Sequence, residues 1–376
     1  MIKLVFLSVI FLLSLLVLFR APTSLLWYVS ILVTEFSWVL ILLVGLLLFW
    51  QTGKYPLLCA VLGGATVLLL LLPYWQAWRL ARTLPAYFQR VFPGANAPAK
   101  ESPFNLLRAF TGIGAKKVKP ATYTYDAKNL LTLDFYPAQE EGNRPCVVVV
   151  HGGSWAGGDG RQLPDLNSEM AKWGYAVASI SYRLAPAHRY PASLEDVQKA
   201  LRYLQQQAAK LSINPEQFVL LGRSAGGQIA LSAAYTLNEP AIKGVIDFYG
   251  PTDMVWGYAN PTNPLVLDSR KIMEDYLGGT YDQVPAQYEH SSATETATRH
   301  SPPTLMIYAE HDPLVSPRHG TRLHRKLVPL QVPFFELYLP WATHGFDYTL
   351  NGPGGQLSTW TVKQFLDAIL NTETLR

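Results

Sequence analysis

At 376 residues, 49% of them apolar and 15% charged, the chain has room for one domain of about 250 residues and a further, more apolar part. Its net charge of +4 hides a division: residues 1–120 hold eleven Lys and Arg against two acidic residues, and residues 121–376 hold twenty against twenty-five. Apolar stretches adjoin the basic part, which assigns that charge to a membrane surface and excludes nucleic acid as its partner. Two cysteines, Cys59 and Cys146, lie in apolar runs and read as buried thiols without a disulfide.

Residues 1–78 contain three stretches, Ile2–Phe19, Ile31–Trp50 and Leu57–Trp78, each near the roughly 20 residues a helix needs to cross a bilayer. They predict three transmembrane helices. The segment FRAPTS after the first offers no small-x-small cleavage site, so a signal peptide is the weaker reading. Glu35 is expected in the first turn of the second span, near enough to the interface to be solvated. Trp27, Tyr28, Trp50, Tyr55, Tyr74, Trp75 and Trp78 fit interfacial belts. With three spans, Lys3, the α-amino group and Lys54 fall on one side and Arg20, Arg79, Arg82 and Arg90 on the other, which predicts a cytoplasmic carboxyl-terminal domain. Residues 79–120 read as a basic connector against anionic lipid, with one short helix around Phe104–Phe110. Its GIGAKK lacks the G-K-[ST] ending of a phosphate loop.

From residue 121 onward strand and helix signals alternate. ATYTYD, NLLTLDFYP and PCVVVV read as strands, then come a helix near 165–173, the strand YAVASISYR, a helix over 193–211, the strand QFVLLG and a helix from AGGQIA. IKGVIDFYG, PTLMIYAE and PFFELYLP follow as strands, with helices over 317–327 and 357–370. Two strands of alternating pattern followed by βα repeats predict a largely parallel sheet with helices on both faces. The long interruption at 251–302 predicts a cap over a pocket. Its Trp256 is the candidate pocket residue.

Chemistry enters at LLGRSAGGQIA, where an apolar strand runs into Gly222, Ser224 and Gly226 and then a small-residue helix. G-x-S-x-G alone is weak, but between strand and helix it predicts a serine held on a strained turn. A nucleophilic serine needs a base, an orienting carboxylate and oxyanion donors at the carboxyl ends of the strands. His344 follows the last strand and Asp312 follows PTLMIY, so the chain order is Ser224, Asp312, His344. Asp247 and Asp253 are rival acids, the first read as structural and the second as following the wrong strand. His311 and His319 are rival bases. The loop HGGSWAGG after CVVVV offers N–H groups of Gly152 and Gly153, which with Ala225 would hold the oxyanion. His151 and Trp155 are expected to support that loop. No motif with metal-ligand spacing occurs, so neither metal nor cofactor is expected.

HGGSW, SYRLAPAHRYPASLEDV, GRSAGGQIA, LGGTYDQVPAQYEHSSA, EHDPLVSP and THGFDY, taken together, resemble the α/β-hydrolase esterases, both the hormone-sensitive-lipase-like group and the H-G-G-x-W feruloyl-esterase and formamidase relatives. The resemblance covers residues 123–370. It implies an α/β-hydrolase fold with cap insertion and a carboxylesterase or lipase-like serine hydrolase acting on a small-molecule or lipid ester. Ser154 departs from the pattern, standing where many relatives carry a third glycine. The amino-terminal part is similar to the anchors of membrane-bound bacterial esterases, implying a multi-pass protein of the cell (inner) membrane. The same triad would also serve an amidase or acyltransferase, and a hydrolase fold kept as a binding scaffold is the alternative from another class.

Overall fold

The computed structural model describes residues 1–50, 55–93, 101–112 and 117–370. Eight strands form one sheet: β1 (Ala121–Asp126), β2 (Leu131–Tyr136), β3 (Arg144–Val150), β4 (Ala176–Ile180), β5 (Ile213–Arg223), β6 (Ile242–Phe248), β7 (Thr304–Ala309) and β8 (Phe334–Leu339). Their spatial order is β1-β2-β4-β3-β5-β6-β7-β8. β1 and β2 pair antiparallel, as do β2 and β4, while every other pairing is parallel. The edge strand β8 shows alternating burial along its length. The interior strands are continuous apolar runs such as Cys146–Val150 and Phe218–Leu221, buried on both faces, as parallel strands under helices must be.

The order of the strands places the site. From β3 the chain goes through the helix Pro164–Lys172 to β4 on one side, and from β5 through the helix Ala225–Thr236 to β6 on the other. β3 and β5 are neighbours, with Val150 opposite Gly222, so the crevice where the connections diverge opens beyond these two strands. The glycine loop after β3 and the serine after β5 meet there. Residues 251–302 form four short helices, Met254–Ala259, Ser269–Leu277, Pro285–His290 and Ala293–Thr296, between β6 and β7.

The amino-terminal part differs from the expectation of three parallel spans. By length and composition, Pro56–Val91 is a helix of 36 residues able to cross a membrane. The first stretch, Ile2–Val17, is shorter, and the second breaks into Ser24–Glu35 and Ser37–Phe49, bent by 83°. The break has a local cause. Phe36 leaves helical geometry (φ −120°, ψ 25°), and the Thr34 hydroxyl bonds back to the Ser30 carbonyl at 2.8 Å, a contact that bends helices. An orientation argued from three crossings therefore loses its basis.

Glu35 is not solvated. It ends its helix rather than starting it, is 1% exposed, and its carboxylate accepts the Gly354 N–H at 2.9 Å at the start of the helix Pro353–Leu370. A carboxylate there meets unsatisfied N–H groups and the positive end of the helix dipole. Ser24–Glu35 thus packs against the sheet domain at the start of its last helix.

The connector is also more structured than expected. Pro56–Val91 runs on past residue 78, and its Phe88 packs against Phe335 of β8, with ring centroids 4.9 Å apart, and against Trp360. Within 101–112, Asn105 and Gln356 exchange bonds, Asn105 N–H to Oε1 at 2.8 Å and Nε2–H to the Asn105 carbonyl at 3.1 Å; the helix there is only Arg108–Thr111. Lys117 pairs with Asp165 at 2.6 Å, while Lys54, Lys100 and Lys116 lie outside the described residues.

Replacing Glu35 by Ala leaves the Gly354 N–H buried without an acceptor. The expected cost is about 2 kcal/mol, or about 4–8 °C in Tm for a domain of this size. Thermal unfolding of the full chain in detergent checks it, and an unchanged Tm would remove Glu35 from the set of contacts that hold the amino-terminal part in place.

Candidate active site

At the end of β5 the chain must turn into a helix within one residue, and Ser224 makes that turn at φ 54°, ψ −121°. Such a conformation is costly for any residue with a Cβ and survives only where neighbours enforce it. Here the Ser224 N–H donates to the Phe248 carbonyl at 2.8 Å, and its own carbonyl accepts from the Gly227 N–H at 2.8 Å. The flanking glycines are needed for space: a Cβ on Gly222 would overlap the Gly226 carbonyl, and one on Gly226 would overlap the carbonyls of Val150 and His151.

Asp312 follows β7, and its Oδ1 accepts the N–H groups of Leu314 (2.8 Å) and Val315 (2.9 Å). Those bonds aim the other oxygen, Oδ2, at His344 Nδ1, 2.6 Å away. Both side chains are buried. With Nδ1–H directed at the carboxylate, Nε2 is the nitrogen left to accept a proton.

The loop after β3 turns through Gly153 (φ 119°), Ser154 (φ 52°) and Trp155 (φ 59°), so Ser154 occupies a conformation glycine would favour. His151 stacks on Tyr182 at 4.2 Å, with Nδ1 2.7 Å from the Gly152 carbonyl, and burial pushes its pKa down. Trp155 donates its indole N–H to Gln228 at 2.9 Å, lies flat on Tyr276 at 4.6 Å, and so fixes the loop to both the helix after Ser224 and the cap. The Gly152 N–H, expected to face the oxyanion, is instead occupied by Gln162 Oε1 at 2.9 Å. Among the described residues, the N–H groups of Gly153 and Ala225 have no such acceptor.

A cavity of about 750 Å³ is bordered by Ser154, Trp155, Ser224, Ala225 and Asp312, and by Trp256 from the cap. The rival residues have other duties. Asp247 accepts from Tyr308 at 2.7 Å and from the Gly250 N–H at 2.9 Å, and burial raises its pKa to about 7. Asp253 caps the helix Met254–Ala259 and pairs with Arg322 at 2.6 Å. His311 is half-buried, and His319 is buried beside Trp256.

One buried group has no counterpart in the sequence reading. Arg223, next to the serine, bonds Asp347 at 2.5 Å, and the Tyr249 hydroxyl donates to the same carboxylate. The Tyr249 ring, held at φ 46°, lies 4.3 Å from the His344 ring. The only signal was charge at G-R-S and H-G-F-D, in strands and loops otherwise apolar.

A family model described as BD-FAE matches residues 133–327, more than half of the chain. The chain belongs to the BD-FAE family. Esterase LipC of Mycobacterium tuberculosis is 29% identical over 222 residues, which cover 54% of this chain and 53% of that protein. Carboxylesterase NlhH of the same organism is 29% identical over 215 residues, covering 53% and 66%. The chain thus spans between about half and two thirds of the length of these curated relatives. Among solved structures, a Pyrobaculum calidifontis esterase aligns with TM-score 0.58 at 20% identity, covering 78% of this chain and 92% of that one. A bacterial heroin esterase aligns with TM-score 0.58 at 19% identity, covering 77% and 92%. At such identity the likeness is one of fold, and that fold is the α/β-hydrolase fold.

Beneath the cap of this BD-FAE chain, the helix Arg318–Leu330 carries a pH-sensitive core group. The Thr252 hydroxyl donates to the His319 carbonyl at 2.7 Å, and the Trp256 ring stands 4.9 Å away, nearly perpendicular. Burial pushes the His319 imidazole from 6.5 to about 4, with nearby Asp253 opposing and Arg322 adding to the shift. The unfolded chain then binds this proton more readily than the folded one. The stability from a neutral His319 is full above pH 6.5 and is lost as pH falls towards 4. Asp247, raised to about 7, contributes with the opposite sign over the same range, so the check is a difference: between pH 6.5 and 4 the unmodified protein should lose more Tm than His319→Asn, and identical profiles would take His319 out of the pH dependence.

Proposed function

We propose that the protein is a carboxylesterase in which Ser224 attacks an ester carbonyl, His344 takes the serine proton and Asp312 orients the imidazole. The observation that carries this reading is the His344–Asp312 pair at 2.6 Å, at the same edge of the sheet as a serine held in a conformation that only a built turn sustains. His344 Nε2 would receive the proton from Ser224 Oγ and return it to the leaving alcohol, and water would then release the acid by the same route. The tetrahedral oxyanion is assigned to the N–H groups of Gly153 and Ala225. Gly152 is left out because Gln162 already holds its N–H. His151 and Trp155 keep the loop in place. Family membership and the esterase names of the relatives support the reaction class.

The bilayer is proposed as the second partner, through Pro56–Val91 and the exposed apolar side chains that precede it, among them Phe6, Leu46 and Phe49. A substrate is then a small-molecule or lipid ester that reaches the cavity from or near the membrane surface.

The test uses the membrane-bound full chain and a fluorophosphonate. Ser224→Ala should abolish labelling and lower ester hydrolysis by a factor of roughly 10³ or more, with His344→Ala close behind and Asp312→Asn less severe. Full labelling of Ser224→Ala would falsify the assignment, and activity released by carbonate washing would remove the anchor from it. Trp256→Ala should shift the preferred acyl length, because Trp256 borders the cavity from the cap. An unchanged profile across an ester series would restrict Trp256 to packing on His319.

A further inference from the structure

The helix Ser24–Glu35 touches the catalytic machinery itself. Its Trp27 donates the indole N–H to the backbone carbonyl of His344 at 2.9 Å, across 317 residues of sequence, and the two rings meet edge-on at 6.1 Å. One turn on, the Ile31 side chain approaches Gly345, and one turn further Glu35 holds the start of the helix Pro353–Leu370. Trp27, Ile31 and Glu35, spaced by four, thus share the face that covers residues 344–354. Leu25, Tyr28 and Leu32 form the opposite, exposed face.

The segment before this helix borders the substrate cavity. Arg20, Ala21 and Pro22 line it together with Ser224. The Arg20 guanidinium donates to the Glu310 carbonyl at 3.0 Å, two residues before Asp312. Ser24 N–H donates to the Leu265 carbonyl at 3.1 Å, and Asn263 to that of Pro22 at 3.2 Å, so the segment is fastened to the acid loop and to the cap.

We propose that Trp27 is a positioning residue for the catalytic base and that residues 20–22, just before its helix, form a wall of the active site. This rests on the triad reading above. His344 sits on a loop between Trp341 and Phe346 with no regular element of its own, and its carbonyl would be free to rotate without the indole N–H. Fixing that carbonyl fixes the backbone from which the imidazole reaches both Asp312 and the serine. The indole makes no contact with a reacting atom, so its effect must appear in turnover rather than in substrate binding.

The experiment compares Trp27→Phe, Trp27→Ala and Leu25→Ala in the full-length protein, assayed with a soluble short-chain p-nitrophenyl ester. Rates are expressed per active site titrated by the fluorophosphonate, so misfolded protein does not count. Trp27→Phe keeps a ring and loses the donor. Its kcat per titrated site should fall about tenfold, the scale of one lost hydrogen bond, with KM within about twofold. Trp27→Ala should fall further, and Leu25→Ala should match the unmodified protein. Normal kcat per titrated site in Trp27→Phe would overturn the proposal, as would a loss carried wholly by KM. The two readings fail separately. Activity surviving in Ser224→Ala would defeat the triad whatever Trp27 does, and an inactive Ser224→Ala beside a normal Trp27→Phe would defeat only the positioning role.

Discussion

The turn from β5 into the helix Ala225–Thr236 has no room for a Cβ at Gly222 or Gly226, two residues to either side of Ser224, and most of the candidate site follows from that crowding. Because the Gly226 backbone lies against the carbonyls of Val150 and His151, the end of β3 and the start of the helix are pressed together. The loop leaving β3 must then pass directly over the serine. Its left-handed residues, Gly153, Ser154 and Trp155, are the means of doing so, and the Trp155 bond to Gln228 closes the contact from the other side. Strain at one residue is tolerated because two strands, one helix and one loop all hold the same few atoms.

A second constraint works through charge. Arg223 and Asp347 are both buried, and a buried pair is stable only with good geometry and further bonds to its oxygens. Tyr249 supplies one such bond, and burial beside Asp347 holds its phenol well above the usual range, so it remains a donor. The pair therefore links the strand that carries the nucleophile to the loop that carries the base. Asp312 is oriented independently, by its own loop's N–H groups. Ser224 and His344 thus share one buried support, and Asp312 has its own.

The sheet and its strand order of appearance were legible, and Ser224, Asp312 and His344 could be put forward as candidates, because each depends on local pattern: apolar runs, glycines around a serine, a histidine after the last strand. The break at Phe36 was not, because its polar residues, Thr34, Glu35 and Ser37, are few within a long apolar run, and what marks it, the Thr34 hydroxyl bonded to the Ser30 carbonyl and Glu35 diverted to Gly354, belongs to the folded chain. Glu35 was misread for the same reason, its partner lying 319 residues away. The fate of the Gly152 N–H turned on Gln162, a residue with no motif around it. Such pairings are set by tertiary geometry, and a residue's own neighbours in sequence hold no trace of them.

The bond between Trp27 and His344 also bears on when the site can exist. A contact spanning 317 residues closes one of the longest loops available to the chain, so it forms only after most of the intervening structure has collapsed. The sheet can acquire its serine turn early, from neighbouring strands and a short-range helix. The base loop waits for a helix made hundreds of residues before it. A chain with its sheet already folded but its amino-terminal helix still undocked would carry a formed nucleophile turn and an unsteadied base. On the positioning role proposed for Trp27, turnover depends on the seating of the amino-terminal helix as well as on the folded sheet.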